Sequence, residues 1–80
     1  MRLPILTLAV LLAAGPAAAD DKAACAEGIA MIRDVLAKNP PDATLPKLKK
    51  ALRVAEREQG EGEFDECLDA VGDAKRAIGQ

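Results

Sequence analysis

Three stretches of the sequence carry the hydrophobic periodicity of amphipathic helices, and this pattern constrains the fold more than any other feature. We predict helices at about residues 22–38, 45–59 and 63–78. Pro40 and Pro41 cannot continue the first helix, and the segment Gly60-Glu61-Gly62 ends the second. Each predicted helix has one apolar face. The residues on it are Cys25, Ile29, Ile32 and Leu36 in the first helix, Leu45, Leu48, Leu52 and Ala55 in the second, and Phe64, Cys67, Leu68, Val71, Ala74 and Ile78 in the third. Short connections between three such helices predict an all-α fold, a small up-down-up three-helix bundle.

The residues at the helix ends support these boundaries. Asn39 suits the left-handed position that follows a helix, and Gly79 stops the third helix. Thr44 is a plausible N-cap of the second helix, and Pro46 falls in its first turn, where the missing N–H has no cost.

Cys25 and Cys67 are the only two cysteines of the chain. In an up-down-up bundle the first and third helices run parallel, so their N-terminal ends lie at the same end of the molecule. Each cysteine falls in the first or second turn of its predicted helix and on the apolar face. We therefore predict a disulfide that closes a loop of about 43 residues. An intermolecular bridge and a redox-active pair are the alternatives, although redox pairs usually have C-x-x-C spacing.

The N-terminal residues have the three-part form of a secretory signal peptide. Arg2 provides the positive charge, and residues 3–14 are almost all apolar. Gly15 and Pro16 are expected to break a helix there, and the three alanines that end at Ala19 suit signal peptidase.

We expect cleavage to remove residues 1–19 and to leave a helical domain of residues 20–80. The short, alanine-rich form is typical of bacterial export, so a periplasmic or secreted location is predicted. A spanning helix needs about 20 apolar residues, which is more than this segment has. No stable membrane association is therefore expected after cleavage.

The composition of the exported part argues against catalysis and against nucleic-acid binding. It has no Ser, His, Trp or Tyr, its only hydroxyl side chain is that of Thr44, and its only aromatic residue is Phe64. Nucleophilic catalysis needs a nucleophile with a base to activate it, and none is available if the thiols are oxidised. Ten basic and thirteen acidic side chains remain, a mild negative charge that disfavours nucleic acid. We expect a non-enzymatic protein without a cofactor.

Part of the third helix resembles the second helix of a tetratricopeptide repeat. The resemblance covers about a dozen positions, with Gly62, Phe64, Cys67, Val71 and Ala74 at the matching places. The preceding helix departs from the family, because the family's aromatic and glycine positions hold alanines and a glutamate, Ala51, Ala55 and Glu58. The family binds peptides through arrays of about three or more repeats, and one repeat at most fits here. We interpret the resemblance as shared packing of a helical hairpin.

Two features are candidates for contact with a protein partner. A basic stripe lies opposite the apolar face of the second helix and consists of Lys49, Lys50, Arg53 and Arg57. Met31 lies beside the main apolar face of the first helix, where it either widens the core or marks a contact. Solvent exposure alone explains a charged stripe of this kind, so partner contact is the more specific hypothesis.

An acidic region around the third helix is a candidate for calcium-type cation contact. It comprises Glu61, Glu63, Asp65, Glu66, Asp69 and Asp73, whose oxygens are the hard ligands that calcium prefers. An EF-hand is not predicted, because its glycine placed at Gly62 puts Arg57 and Leu68 at the two end ligand positions. A solvated carboxylate face is the simpler explanation.

The sequence thus predicts a small exported interaction or accessory module with an unidentified protein partner. Two further functions stay open: low-affinity cation binding by the acidic face, and a thiol redox carrier that uses the two cysteines.

Overall fold

The computed structural model describes the backbone of residues 3–79 and the side chains of residues 19–79. Three helices follow one another along the chain: α1 (Leu3–Ala37), α2 (Leu45–Gly60) and α3 (Phe64–Ala77). Each helix packs against both of the others, and α2 and α3 make the most extensive contact. The predicted fold class, a three-helix bundle closed by one disulfide, is confirmed.

Helix α1 extends further toward the N-terminus than the periodicity predicts. The sequence pattern predicts a start near Lys22 and a break at Gly15 and Pro16, whereas α1 begins at Leu3. Alanine and leucine have the highest helix propensities and fill most positions on either side of the two breakers, which favours continuation. Apart from Ala19, the predicted signal peptide lies outside the described side chains, and its cleavage stays a prediction.

Two residues in the turns between helices and one residue after α3 have left-handed backbone. Asn39 follows α1 with φ of 54°, as predicted, while Gly62 and Gly79 have φ of 75° and 84°. Thr44 occupies the N-cap position of α2, but its side chain makes no capping hydrogen bond. Its backbone carbonyl accepts the first hydrogen bond of the helix, from the Leu48 N–H at 3.0 Å, as an N-cap carbonyl ordinarily does.

The core consists of small and medium side chains, because the chain has a single aromatic residue. The two cysteines, Ile32 and Leu48 are its largest fully buried side chains. Around them lie the other buried hydrophobic residues: Ile29, Ala51, Ala55, Ala70, Val71 and Ala74. Leu45 and Leu52, which the periodicity placed on the apolar face of the second helix, are only half-buried.

Helix α1 packs tightly against α3 at Gly28, which lies one turn after Cys25. A Cβ atom at Gly28 would lie 2.6 Å from both methyl carbons of Val71. Real side chains never approach so closely, so the glycine is required for this helix spacing. Gly28 and the disulfide therefore fix α1 against α3 at neighbouring points.

Candidate functional site

The disulfide joins α1 to α3 inside the bundle. Cys25 and Cys67 are bonded, their Cα atoms are 5.8 Å apart, and both are completely buried. This Cα separation is within the usual range for disulfides. Thiol–disulfide exchange requires an attacking thiolate to reach a sulfur atom, so a redox partner needs the bundle to open first.

The basic stripe predicted on the second helix divides between two surfaces. Lys49, Lys50, Arg53 and Arg57 are all exposed. Lys50 and Arg57 line a groove between α2 and α3, whereas Lys49 and Arg53 lie outside it. Arg57 also pairs with its neighbour Glu58, with its Nη2 atom 3.0 Å from the carboxylate. The four residues therefore do not all line one surface feature.

The groove between α2 and α3 is lined by residues of these two helices alone, and we call it the α2–α3 groove. Its first half encloses about 350 Å³ at the end where α2 begins and α3 finishes. The floor of this half is made by small side chains, Ala51, Val54, Ala70 and Ala77. Small residues keep the floor low. Ala51 and Ala70 are almost fully buried, so the half-buried Val54 and Ala77 provide most of its exposed apolar surface.

Charged side chains border this half of the groove, which we call the basic end. Lys47 and Lys50 come from the first turns of α2, and Arg76 comes from the last turn of α3. Asp73 is the one carboxylate among its lining residues and pairs with Arg76. Within the described part of the chain, neither lysine has a carboxylate within salt-bridge distance.

The other half of the groove, the acidic end, has the opposite charge balance. Glu58, Glu66 and Asp69 line it, with Arg57 as the one cation. Nearby carboxylates, Glu58 above all, raise the pKa of Glu66 above its ordinary value. Since like charges disfavour ionisation, the raised pKa indicates a concentration of negative charge here.

The acidic residues proposed as cation ligands are spread over several surfaces. All six, Glu61, Glu63, Asp65, Glu66, Asp69 and Asp73, are exposed. Glu61 and Glu63 belong to the turn before α3, while Asp73 lies near its far end. Across residues 19–79, no three Asp, Glu, Cys or His side chains come together as a metal-binding group.

Met31 is half-buried and packs against the core cluster. Of the two readings of this residue, the structure favours the one in which it widens the core. A separate apolar hollow of about 370 Å³ lies where the α1–α2 turn meets the end of α3, with Pro40, Pro41 and Ile78 among its lining residues.

Sequence reasoning missed Lys47, Val54, Ala70, Arg76 and Ala77 as members of a common surface. The signal was present, because positions 47, 50, 51 and 54 of α2 follow helical spacing, as do positions 66, 69, 70, 73, 76 and 77 of α3. Each set forms a second stripe beside the core-facing one.

Comparison with known proteins leaves the chain without an assigned family. No model of a protein family matches the sequence, and no curated protein is similar to it. In the part of the chain that the structure describes, no helix is both long enough and apolar enough to cross a membrane.

Proposed function

We propose that this chain is an exported, non-enzymatic interaction module whose contact surface is the α2–α3 groove. The observation that carries the proposal is the groove between α2 and α3, which has small apolar residues at its floor and charged residues along its borders. Apolar strips between two helices are a common way to hold a helical segment of another protein.

The side-chain inventory supports binding rather than turnover. The residues that line the groove offer lysine, arginine, carboxylate, alanine and valine side chains, without a hydroxyl or thiol nucleophile. Both cysteine sulfurs are joined to each other and lie in the core. A groove of this composition is suited to bind a partner's surface through burial of apolar side chains and through ion pairs.

The proposed location outside the cytoplasm is supported by the leader-like first nineteen residues and by the disulfide. Disulfides persist in oxidising compartments such as the bacterial periplasm. A domain of this size buries a small core, so a cross-link that keeps it folded is a useful property there.

Photo-crosslinking in the producing cells tests the proposal. A photoreactive phenylalanine analogue replaces Val54 on the groove floor, and a matched variant carries it at Ala26, which is exposed on α1. We expect irradiation to join the Val54 variant to a protein and to leave the Ala26 variant free. Equal adducts from both positions, or none from Val54, would overturn the proposal.

A further inference from the structure

The charge on the borders of the α2–α3 groove reverses along its length. The basic end has three cations, Lys47, Lys50 and Arg76, against the single carboxylate Asp73. The acidic end reverses this balance, with the carboxylates of Glu58, Glu66 and Asp69 against the single cation Arg57. Asp73 lines this end as well and adds a fourth carboxylate.

The middle of the groove belongs to both ends. Val54, Ala70 and the Asp73 carboxylate line the basic end and the acidic end alike, and Ala70 is almost fully buried. A two-fold axis that crosses the groove over these residues would bring the basic end of one molecule onto the acidic end of another. The same rotation would lay one apolar floor on the other, as a self-complementary interface requires.

We propose that the α2–α3 groove binds a second copy of this chain, face to face and antiparallel about this axis. The proposal rests on the function proposed above and names the partner. In this arrangement α2 faces α2 and α3 faces α3, so Lys47 and Lys50 lie opposite Glu58 of the second copy. Arg76 lies opposite Glu66 of the second copy.

The charge pattern favours a second copy of this chain over a partner segment of uniform charge. A uniformly acidic segment would satisfy the basic end and would be repelled by Glu58, Glu66 and Asp69 at the other end. A parallel arrangement of two copies would oppose like charges at both ends. Like charges brought together at an interface suppress the wrong partner and the wrong register, whereas complementary charges speed association.

The size of the groove predicts a weak and reversible dimer. Helix α3 has 14 residues, which corresponds to a length of about 21 Å. A face of two helices with this length covers about 400 Å² on each copy, which is about half the area of a standard stable interface. We therefore expect exchange between monomer and dimer rather than a permanent complex.

Sedimentation velocity of the exported chain tests the proposal. Samples from about 10 µM to about 1 mM span the range expected for a weak interface. We expect the sedimentation coefficient to rise from a monomer value toward a dimer value, and the rise to diminish at high salt, because salt screens exposed charges. A single monomer species at every concentration would overturn the proposal.

Charge exchange then tests the antiparallel arrangement. The double variant Lys47→Glu, Lys50→Glu makes both ends of the groove negative, and the double variant Glu66→Lys, Asp69→Lys makes both ends positive. We expect each variant alone to dimerise about tenfold more weakly than the unaltered chain. An equimolar mixture should form the dimer again, because each negative groove then meets a positive one.

The control is the double variant Lys49→Glu, Arg53→Glu. It lowers the net charge as much as the Lys47, Lys50 double variant does, but both residues lie outside the groove. It should dimerise as the unaltered chain does, and circular dichroism should show full helicity for all variants. Loss of dimer in this control, or no recovery in the mixture, would contradict the proposed interface.

Failure of this inference is distinguishable from failure of the proposed function. A chain that stays monomeric while the Val54 crosslinker captures a different protein would overturn the second copy alone. A monomeric chain whose Val54 variant captures nothing would overturn both.

Discussion

Reduction of the disulfide between Cys25 and Cys67 should remove about half of the stability of the domain. The two cysteines are 42 positions apart in sequence. In the chain-entropy account, a loop of this length restricts the unfolded chain by about 4 kcal/mol at 25 °C. A core of this size rarely supplies more than about 3–5 kcal/mol by itself, so the link contributes about as much as the core and the reduced chain should be only marginally stable.

Urea unfolding followed by far-ultraviolet circular dichroism measures this effect. For a small domain the slope is about 1 kcal/mol per molar urea, so a loss of 4 kcal/mol lowers the midpoint by about 4 M. Because both sulfur atoms are buried, the chain is unfolded before reduction and then refolded with the reductant present. The free thiols stay in the core after refolding, so the comparison isolates the covalent link from changes in packing.

The double variant Cys25→Ala, Cys67→Ala is the control for direct effects of the reductant. Its unfolding curve should be the same with and without reductant, and its midpoint should be no higher than that of the reduced chain. A reduced chain that keeps full helicity and loses less than about 1 kcal/mol would refute the argument that the link supports this core.

Two further predictions concern single residues. Gly28→Ala should destabilise the domain by about 1–3 kcal/mol in thermal unfolding, because the added methyl group would meet the buried side chain of Val71. Gly72→Ala is its matched control in α3, where the nearest atom would be 3.5 Å away, so this variant should gain up to about 1 kcal/mol from helix propensity. Because neighbouring carboxylates raise the pKa of Glu66, its contribution to stability is present at low pH and is lost as the pH rises past the ordinary glutamate range of about 4.3. Glu66→Gln should therefore raise the melting temperature at neutral pH and have no such effect at about pH 3; equal effects at both would contradict the electrostatic cause.

The fold follows from local signals that act over a few residues. Helix periodicity identifies Ile32 and Leu48 as core positions, and both are fully buried. The left-handed turn at Asn39 follows from residue type alone. The disulfide follows because topology and cysteine placement impose independent conditions that agree.

Features that depend on contacts between helices are less accessible to such reasoning. Ala51 and Ala70 are buried, but alanine occurs on every face of these helices and carries little information about burial. The close approach of Gly28 to Val71 joins residues far apart in sequence. Nothing in either local segment identifies the other.

The candidate site shows the same limit. Counting charge along the second helix groups Lys49 with Lys50, although they lie on different surfaces. The groove requires the register between α2 and α3, which brings Lys50 and Arg76 to one end of it and Glu58 and Glu66 to the other. That register is set by packing of the whole bundle, so the groove emerges only from the assembled structure.

Amide chemical shifts of the exported chain across a dilution series test most directly where this molecule makes contact. As the concentration rises, we predict shifts at groove residues such as Ala51, Val54 and Ala70, with Ala26 and Ala30 on the exposed side of α1 unchanged. Shifts concentrated on α1, or none along α2 and α3, would contradict the assignment of the groove as a surface for a second copy.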